Sequence, residues 1–197
     1  EEIFKKFDYK SARYSINKAI KENVYVRKVE TVEEFEKFYT FQIQFCEERK
    51  LPICSLQELK MLDWYYAVAG DGEYLGGCAF LTNVEDKFVR YKYGATLHKK
   101  NANEMILWKA ICDYHDAGFL EFDLGGVVPT DDKTSYYYRH FSFKKKFGGE
   151  LIESYTYFKI RGFYRVFYYI FKLILNIFFK GDLNGCIVFF NKIHLIH

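Results

Sequence analysis

Between residues 64 and 93 three short runs rich in aromatic and apolar residues, at 64–69, 74–82 and 87–93, are bounded by Gly, Asn and Asp and read as strands. Gly70-Asp71-Gly72 supplies a hairpin signal between the first two runs, and residues 83–86 join the second to the third, so an antiparallel meander is expected. A further strand is read at 25–29 and another at 119–124. Elsewhere the spacing is that of a helix. Residues 7–22 read as one helix with Arg13, Asn17 and Lys21 at four-residue spacing, which gives it a basic face. Thr31 and Glu34 form a capping box for a helix that buries Phe35, Phe38, Tyr39, Ile43 and Phe45 and ends near Lys50, before Pro52 breaks it. Ser55 with Glu58 opens a short helix, and Asn101 or Asn103 caps another that runs to His115 and closes at Gly118.

This order alternates helices with a mostly antiparallel run of strands, and no repeat or low-complexity tract interrupts it. With 197 residues, 50% of them hydrophobic and 21% aromatic, one well-cored domain over 1–160 is expected. Residues 161–197 differ in kind. Fourteen of the seventeen residues from 163 to 179 are apolar or tyrosine, and Arg161, Arg165, Tyr169, Lys172, Asn176 and Lys180 share one narrow helical stripe. Because a spanning helix would have to hide Arg165 and Lys172, a C-terminal amphipathic helix lying in a membrane interface is expected, with a core helix as the alternative.

The formal net charge is only +3, but from Lys144 onward nine Lys/Arg face three Asp/Glu, so the basic end is the one expected to meet an anion. Five cysteines, an odd number with no C-x-x-C pair, and a charged N-terminal stretch without an apolar segment predict a cytoplasmic setting. His194 and His197 lack a third ligand, so no metal site is expected. Phosphate-loop, dinucleotide and serine-elbow motifs are absent from the sequence, and Cys112 with His115 reads as a pair of core neighbours.

The chemistry concentrates in residues 117–150. The strand 119–124 opens onto Gly125-Gly126, a polar turn follows, and Tyr136, Tyr137 and Tyr138 lead a helical stretch into Phe143-Lys144-Lys145-Lys146-Phe147-Gly148-Gly149. The order strand, Asp-x-Gly-Gly, about twenty residues, Phe-Lys-x-x-Phe-Gly-Gly, strand resembles the C-terminal acyltransferase domain of the FemABX-type peptidoglycan aminoacyltransferases, over roughly residues 7–160. The resemblance implies an α/β, GNAT-like acyltransferase fold with a central mixed sheet flanked by helices. It also implies an aminoacyl-tRNA donor, a lipid-linked or nucleotide-linked cell-wall precursor as acceptor, and a second GNAT-like domain as the companion usual in the family. A peripheral place on the inner face of the membrane suits that acceptor. Residues 96–103, before the Asn103 helix, contain no glycine, whereas a coenzyme A enzyme needs bare backbone N–H groups there to cradle a pyrophosphate. No cofactor is therefore expected, and an acyl-CoA-dependent N-acyltransferase is the alternative.

Transfer of an aminoacyl group to an amine needs a positioned carbonyl and a donor near the developing oxyanion. The resemblance assigns Lys144 that role. Asp123 either orients the amine or bonds the backbone of the glycine turn. Gly125, Gly126, Tyr138, Phe147 and Gly148 are the other candidates around the substrate, with Arg13 and Arg49 for its anionic parts and Lys145 and Lys146 for nucleic-acid phosphates.

Overall fold

The computed structural model describes residues 1–154 and 188–194. Helix α1 (Glu2–Lys6) is followed by a π-helical turn (Tyr9–Arg13) and α2 (Tyr14–Lys21), so the single helix expected over 7–22 is broken at its start. The cause is Asp8. Phe7 ends α1 in extended backbone, and the Asp8 carboxylate accepts from the Ser11 amide at 2.8 Å and hydroxyl at 2.6 Å, starting the next turn afresh.

Strand β1 (Tyr25–Lys28) leads to α3 (Val32–Arg49), where Thr31 and Glu34 close the expected capping box, and Lys50 ends the helix in left-handed backbone. After the short α4 (Leu56–Leu59) come β2 (Asp63–Val68), β3 (Tyr74–Asn83) and β4 (Phe88–Thr96), the expected meander. Helix α5 (Ala102–Asp116), β5 (Glu121–Val127), α6 (Tyr138–Lys145) and β6 (Glu150–Ser154) follow. The sheet takes a seventh strand, β7 (Val188–His194), from the segment whose pattern suggests only a helix and tail. Inserted between β5 and β6 and antiparallel to both, β7 makes the strand order β1-β2-β3-β4-β5-β7-β6. The hydrophobic helix with Arg165 and Lys172 lies outside the described residues.

Strand alternation divides the core between the two faces of the sheet. Tyr65, Cys78 and Phe80 turn to one face, where the fully buried Ile106, Leu107, Ala110 and Ile111 of α5 and Ile16 and Ala19 of α2 cover them. Trp64 and Ala79 turn to the other, against Phe38 of α3, whose ring lies 4.2 Å from that of Trp64. Gly77 is needed there because a Cβ would meet the Phe38 ring at 2.3 Å. Helices on both faces and a mixed sheet make this the α/β arrangement expected.

Candidate active site

Parallel pairing of β4 with β5 runs only from Phe88↔Glu121 to Arg90↔Asp123, although both strands continue. Lys92 is bulged, since Ala79 faces Tyr93 and Phe80 faces Tyr91, and the bulge helps turn β4 away. Beside the divergence lies a cavity of about 580 Å³. Its walls are the end of α3 with Phe45 and Arg49, Tyr91, Gly94 and Thr96 of β4, Asn103 and Glu104 of α5, and one side of the α6 segment. That side is a helical stripe: Tyr136, Arg139, His140, Phe143 and Lys144 follow i, i+3, i+4, i+7, i+8 spacing.

Lys144 sits where these elements converge. Its Nζ donates to the Gly126 carbonyl at 2.9 Å, and burial pulls its pKa down from 10.5 to about 8 against the opposing pull of Asp123. Gly125 adopts φ +82, and a Cβ there would come within 3.3 Å of Nζ and 3.2 Å of the Tyr91 carbonyl. A side chain at this point would crowd the ammonium. Glycine is thus demanded twice over, by the dihedral and by the approach of the lysine.

Asp123 is fully buried, and both of its oxygens are engaged within the protein. Oδ2 accepts from Arg90 Nε at 2.8 Å and Oδ1 from the Gly125 amide at 2.7 Å. Of the two roles open to it in the sequence, the geometry supports the backbone one: it holds the glycine turn whose next carbonyl holds Lys144, and it lies fully buried off the cavity wall. The ion pair is deep enough that loss of one partner would strand a charge.

The triplet of lysines divides. Lys145 is exposed, with its ammonium over Phe141. Lys146, expected to meet phosphate, instead pairs with Glu104 at 2.6 Å, its side chain only 16% exposed and its ammonium over Phe143. Phe147 is no substrate contact either: fully buried, it packs edge-on against Phe7 and Phe143. Gly148 is structural for a related reason. At φ +67 its Cβ would meet the Lys6 carbonyl at 2.2 Å, so the chain can pass α1 only as glycine. Tyr138 starts α6 half-buried and off the cavity wall, which Tyr136 supplies in its place. Arg13 also lies away from the cavity, stacked on Tyr9 with its Nε buried and unpartnered. Arg49 does reach the wall, its guanidinium 3.8 Å above the Phe45 ring.

Arg139 and His140 join the wall without having been singled out in the sequence, though their spacing from Lys144 carried the signal. Deeper in, Tyr91 bonds Cys78 and Asn103, and burial raises its hydroxyl well above the ordinary value, so it stays protonated. The Cys78 thiol, pushed up to about 12 by burial, donates to Asn103 Oδ1 at 3.1 Å. Neither group is poised to titrate near neutrality. Cys112 and His115 make no dyad; the thiol is raised to about 11 by burial, and His115 lies against Asp116. Among the described residues no cluster of metal-ligating side chains occurs, and no helix is long and apolar enough to cross a membrane.

In the turn before α5, His98, Lys100 and Asn101 take φ of 55, 50 and 54, the conformation glycine would provide, at the cost of strained Cβ atoms. The two lysines of the turn point away from it. Lys99 pairs with Glu73 at 2.9 Å and Lys100 with Asp71 at 3.7 Å, both at the β2–β3 hairpin.

A meander, a divergence of β4 from β5 and a helix starting at the gap define the GNAT-like acyltransferase fold. Within it the chain resembles FemX, with which it shares 14% identity at a TM-score of 0.62 over 75% of this chain and 55% of that one. The C-terminal domain of a putative lysylphosphatidylglycerol synthetase from Agrobacterium fabrum matches at 13% identity and a TM-score of 0.55, over 70% of this chain and 50% of that one. A putative N-acetyltransferase from Lactobacillus plantarum matches at 11% identity and 0.53, over 88% and 99%. The chain spans about half the length of the first two. No protein-family model and no curated protein sequence matches it.

Proposed function

We propose that the chain is a Fem-type acyltransferase that moves an aminoacyl group from aminoacyl-tRNA to an amine of a lipid-linked or nucleotide-linked cell-wall precursor. The observation that carries this reading is Lys144, half-buried at the cavity wall with its ammonium donating to the Gly126 carbonyl. As the amine attacks the ester carbonyl, a C–N bond forms and negative charge gathers on the carbonyl oxygen, where a desolvated cation is worth most. Collapse breaks the ester C–O bond, and the proton lost by the amine ends on the departing ribose hydroxyl. With a pKa of about 8, Lys144 is charged at neutral pH and can donate to that oxyanion. Arg49 and Arg139 give the cavity a cationic mouth for phosphate, and Tyr136 offers an exposed ring beside it.

Pairing of Lys99 and Lys100 with Glu73 and Asp71 supports a donor other than coenzyme A, because the turn's own cations are already committed. A lipid-linked acceptor is supported by the likeness to a domain named for lysylphosphatidylglycerol synthesis. The second reading, acyl-CoA-dependent N-acyl transfer, draws on the left-handed residues His98, Lys100 and Asn101, the backbone from which anion-binding nests are built. Calorimetry separates the two. The aminoacyl reading expects acetyl-CoA to bind no tighter than about millimolar, and a micromolar constant would replace it with the second.

A further inference from the structure

The surface made by α1, the π-helical turn and α2 lies apart from the cavity. Between residues 5 and 21 it carries Lys5, Lys6, Lys10, Arg13, Lys18 and Lys21 against a single carboxylate, Asp8, which Ser11 already occupies. Lys18 reaches Glu22 only at 3.8 Å, whereas Lys5, Lys6, Lys10 and Lys21 form no ion pair among the described residues. Tyrosines stand among these cations with their rings in solvent: Tyr9 is 72% exposed and Tyr14 is 61% exposed. Two aromatic rings left in solvent on one basic face offer stacking surfaces beside its cations.

The face is tied to the active site by backbone. The Asp8 amide donates to the Lys146 carbonyl at 2.8 Å, and Gly148 lies directly against the Lys6 carbonyl. Lys145, exposed at the end of α6, therefore extends the same cationic surface from the helix that carries Lys144.

We propose that this face docks the phosphate backbone of a structured RNA, with Lys10, Lys18 and Lys21 on phosphates and Tyr9 and Tyr14 stacked on bases or riboses. The inference rests on the aminoacyl-tRNA reading for its biological sense but on different residues for its evidence. Charge complementarity alone would also suit an anionic bilayer. The bilayer is disfavoured because α2 has already spent its apolar side, Ile16 and Ala19, on α5, leaving outward a lysine and tyrosine surface with Ile20 as its one exposed aliphatic. Lysines interleaved with tyrosines match what single strands and stem ends offer, a line of phosphates beside stackable rings.

The test uses the full chain and a fluorescein-labelled RNA hairpin with a single-stranded 3′ end, followed by anisotropy at several salt concentrations. Lys10→Glu combined with Lys21→Glu should weaken binding and lower the salt slope by about one for each phosphate no longer neutralised. Tyr14→Ala should weaken it at least about fivefold, the low end for a stacked base. Lys37→Glu with Lys60→Glu, away from this face, should change neither, and circular dichroism should show all variants folded. Equal effects of the two lysine pairs, or no RNA binding by the intact chain, would overturn the proposal. So would retention on phosphatidylglycerol vesicles that disappears in the Lys10, Lys21 variant while RNA binding persists. Transfer from an aminoacyl-dinucleotide too short to reach the face keeps the two readings apart. If the Lys10, Lys21 variant retains that transfer and loses the hairpin, the docking face stands. If the intact chain binds the hairpin through this face and never transfers from the short donor, it is the aminoacyl reading that falls.

Discussion

Replacing Lys144 by methionine should make the protein more stable and nearly inactive. The pKa of Lys144 falls from 10.5 to about 8 on folding, chiefly because burial disfavours its charged form. A tenfold change in acidity corresponds to about 1.4 kcal/mol, so holding the charge costs the native state about 3 kcal/mol at most. Methionine removes that cost but forfeits the hydrogen bond to the Gly126 carbonyl, about 1 kcal/mol where the exposed acceptor can turn to water. A net gain of about 1–2 kcal/mol remains, or roughly 2–8 °C in melting temperature for a chain of this size. The sign with pH follows from which state binds the proton. Between pH 8 and 10.5 the unfolded lysine is protonated and the native one is not, so wild-type stability rises through that window. Below pH 8 the full cost is present. The advantage of Lys144→Met should therefore be greatest at pH 7 and fade by pH 10, measured by urea denaturation of both proteins at the two values. Turnover should fall about a hundredfold, the scale of one lost oxyanion donor. A variant less stable than wild type at pH 7, or one whose advantage does not change with pH, would refute the claim that the cavity holds this lysine against its own solvation.

If the charged form is the working one, wild-type turnover should decline as pH rises above about 8, and a profile still rising at pH 9 would assign Lys144 to proton removal instead. Gly125→Ala places a methyl 3.3 Å from Nζ in left-handed backbone and should lower turnover with about 1 kcal/mol of destabilisation, read by kinetics and melting together. Asp123→Ala leaves the Arg90 guanidinium and the Gly125 amide without their carboxylate and should cost about 2–4 kcal/mol in denaturant unfolding, discounted because Arg90 is one-third exposed. Gly148→Ala should destabilise through the Lys6 carbonyl while leaving the activity of the folded fraction unchanged, checked by melting and by active-site titration.

Local signals carried most of the fold because they needed no distant partner. The meander, the Thr31 capping box and the Gly118 stop are each decided within a few residues, and each stands where periodicity and turn chemistry put it. The break at Asp8 was missed because an amphipathic pattern continues across it, while one carboxylate restarts the helix. Strand β7 was missed for a different reason. It is specified by pairing with β5 and β6, partners more than thirty residues earlier in the chain, and nothing in its own alternation names them.

The Phe-Lys-x-x-Phe-Gly-Gly stretch shows how a motif can be functional at one position and architectural at its neighbours. Phe143 and Phe147 are four apart, so both turn inward, Phe147 wholly and Phe143 with one side left on the cavity. Lys144 follows Phe143 by about 100° and is thereby delivered to the cavity wall, joining Tyr136 and His140 at four-residue steps. Another step takes Lys145 to solvent, and the next brings Lys146 round to Glu104 at the start of α5. That pair also has a mechanical consequence. Glu104 lies in the first turn of α5, where a carboxylate is favoured by the helix dipole, and Lys146 follows the last turn of α6, where a cation is favoured. The bridge ties together the two helices that frame the cavity, so a lysine off the cavity wall helps set the distance across which its neighbour acts.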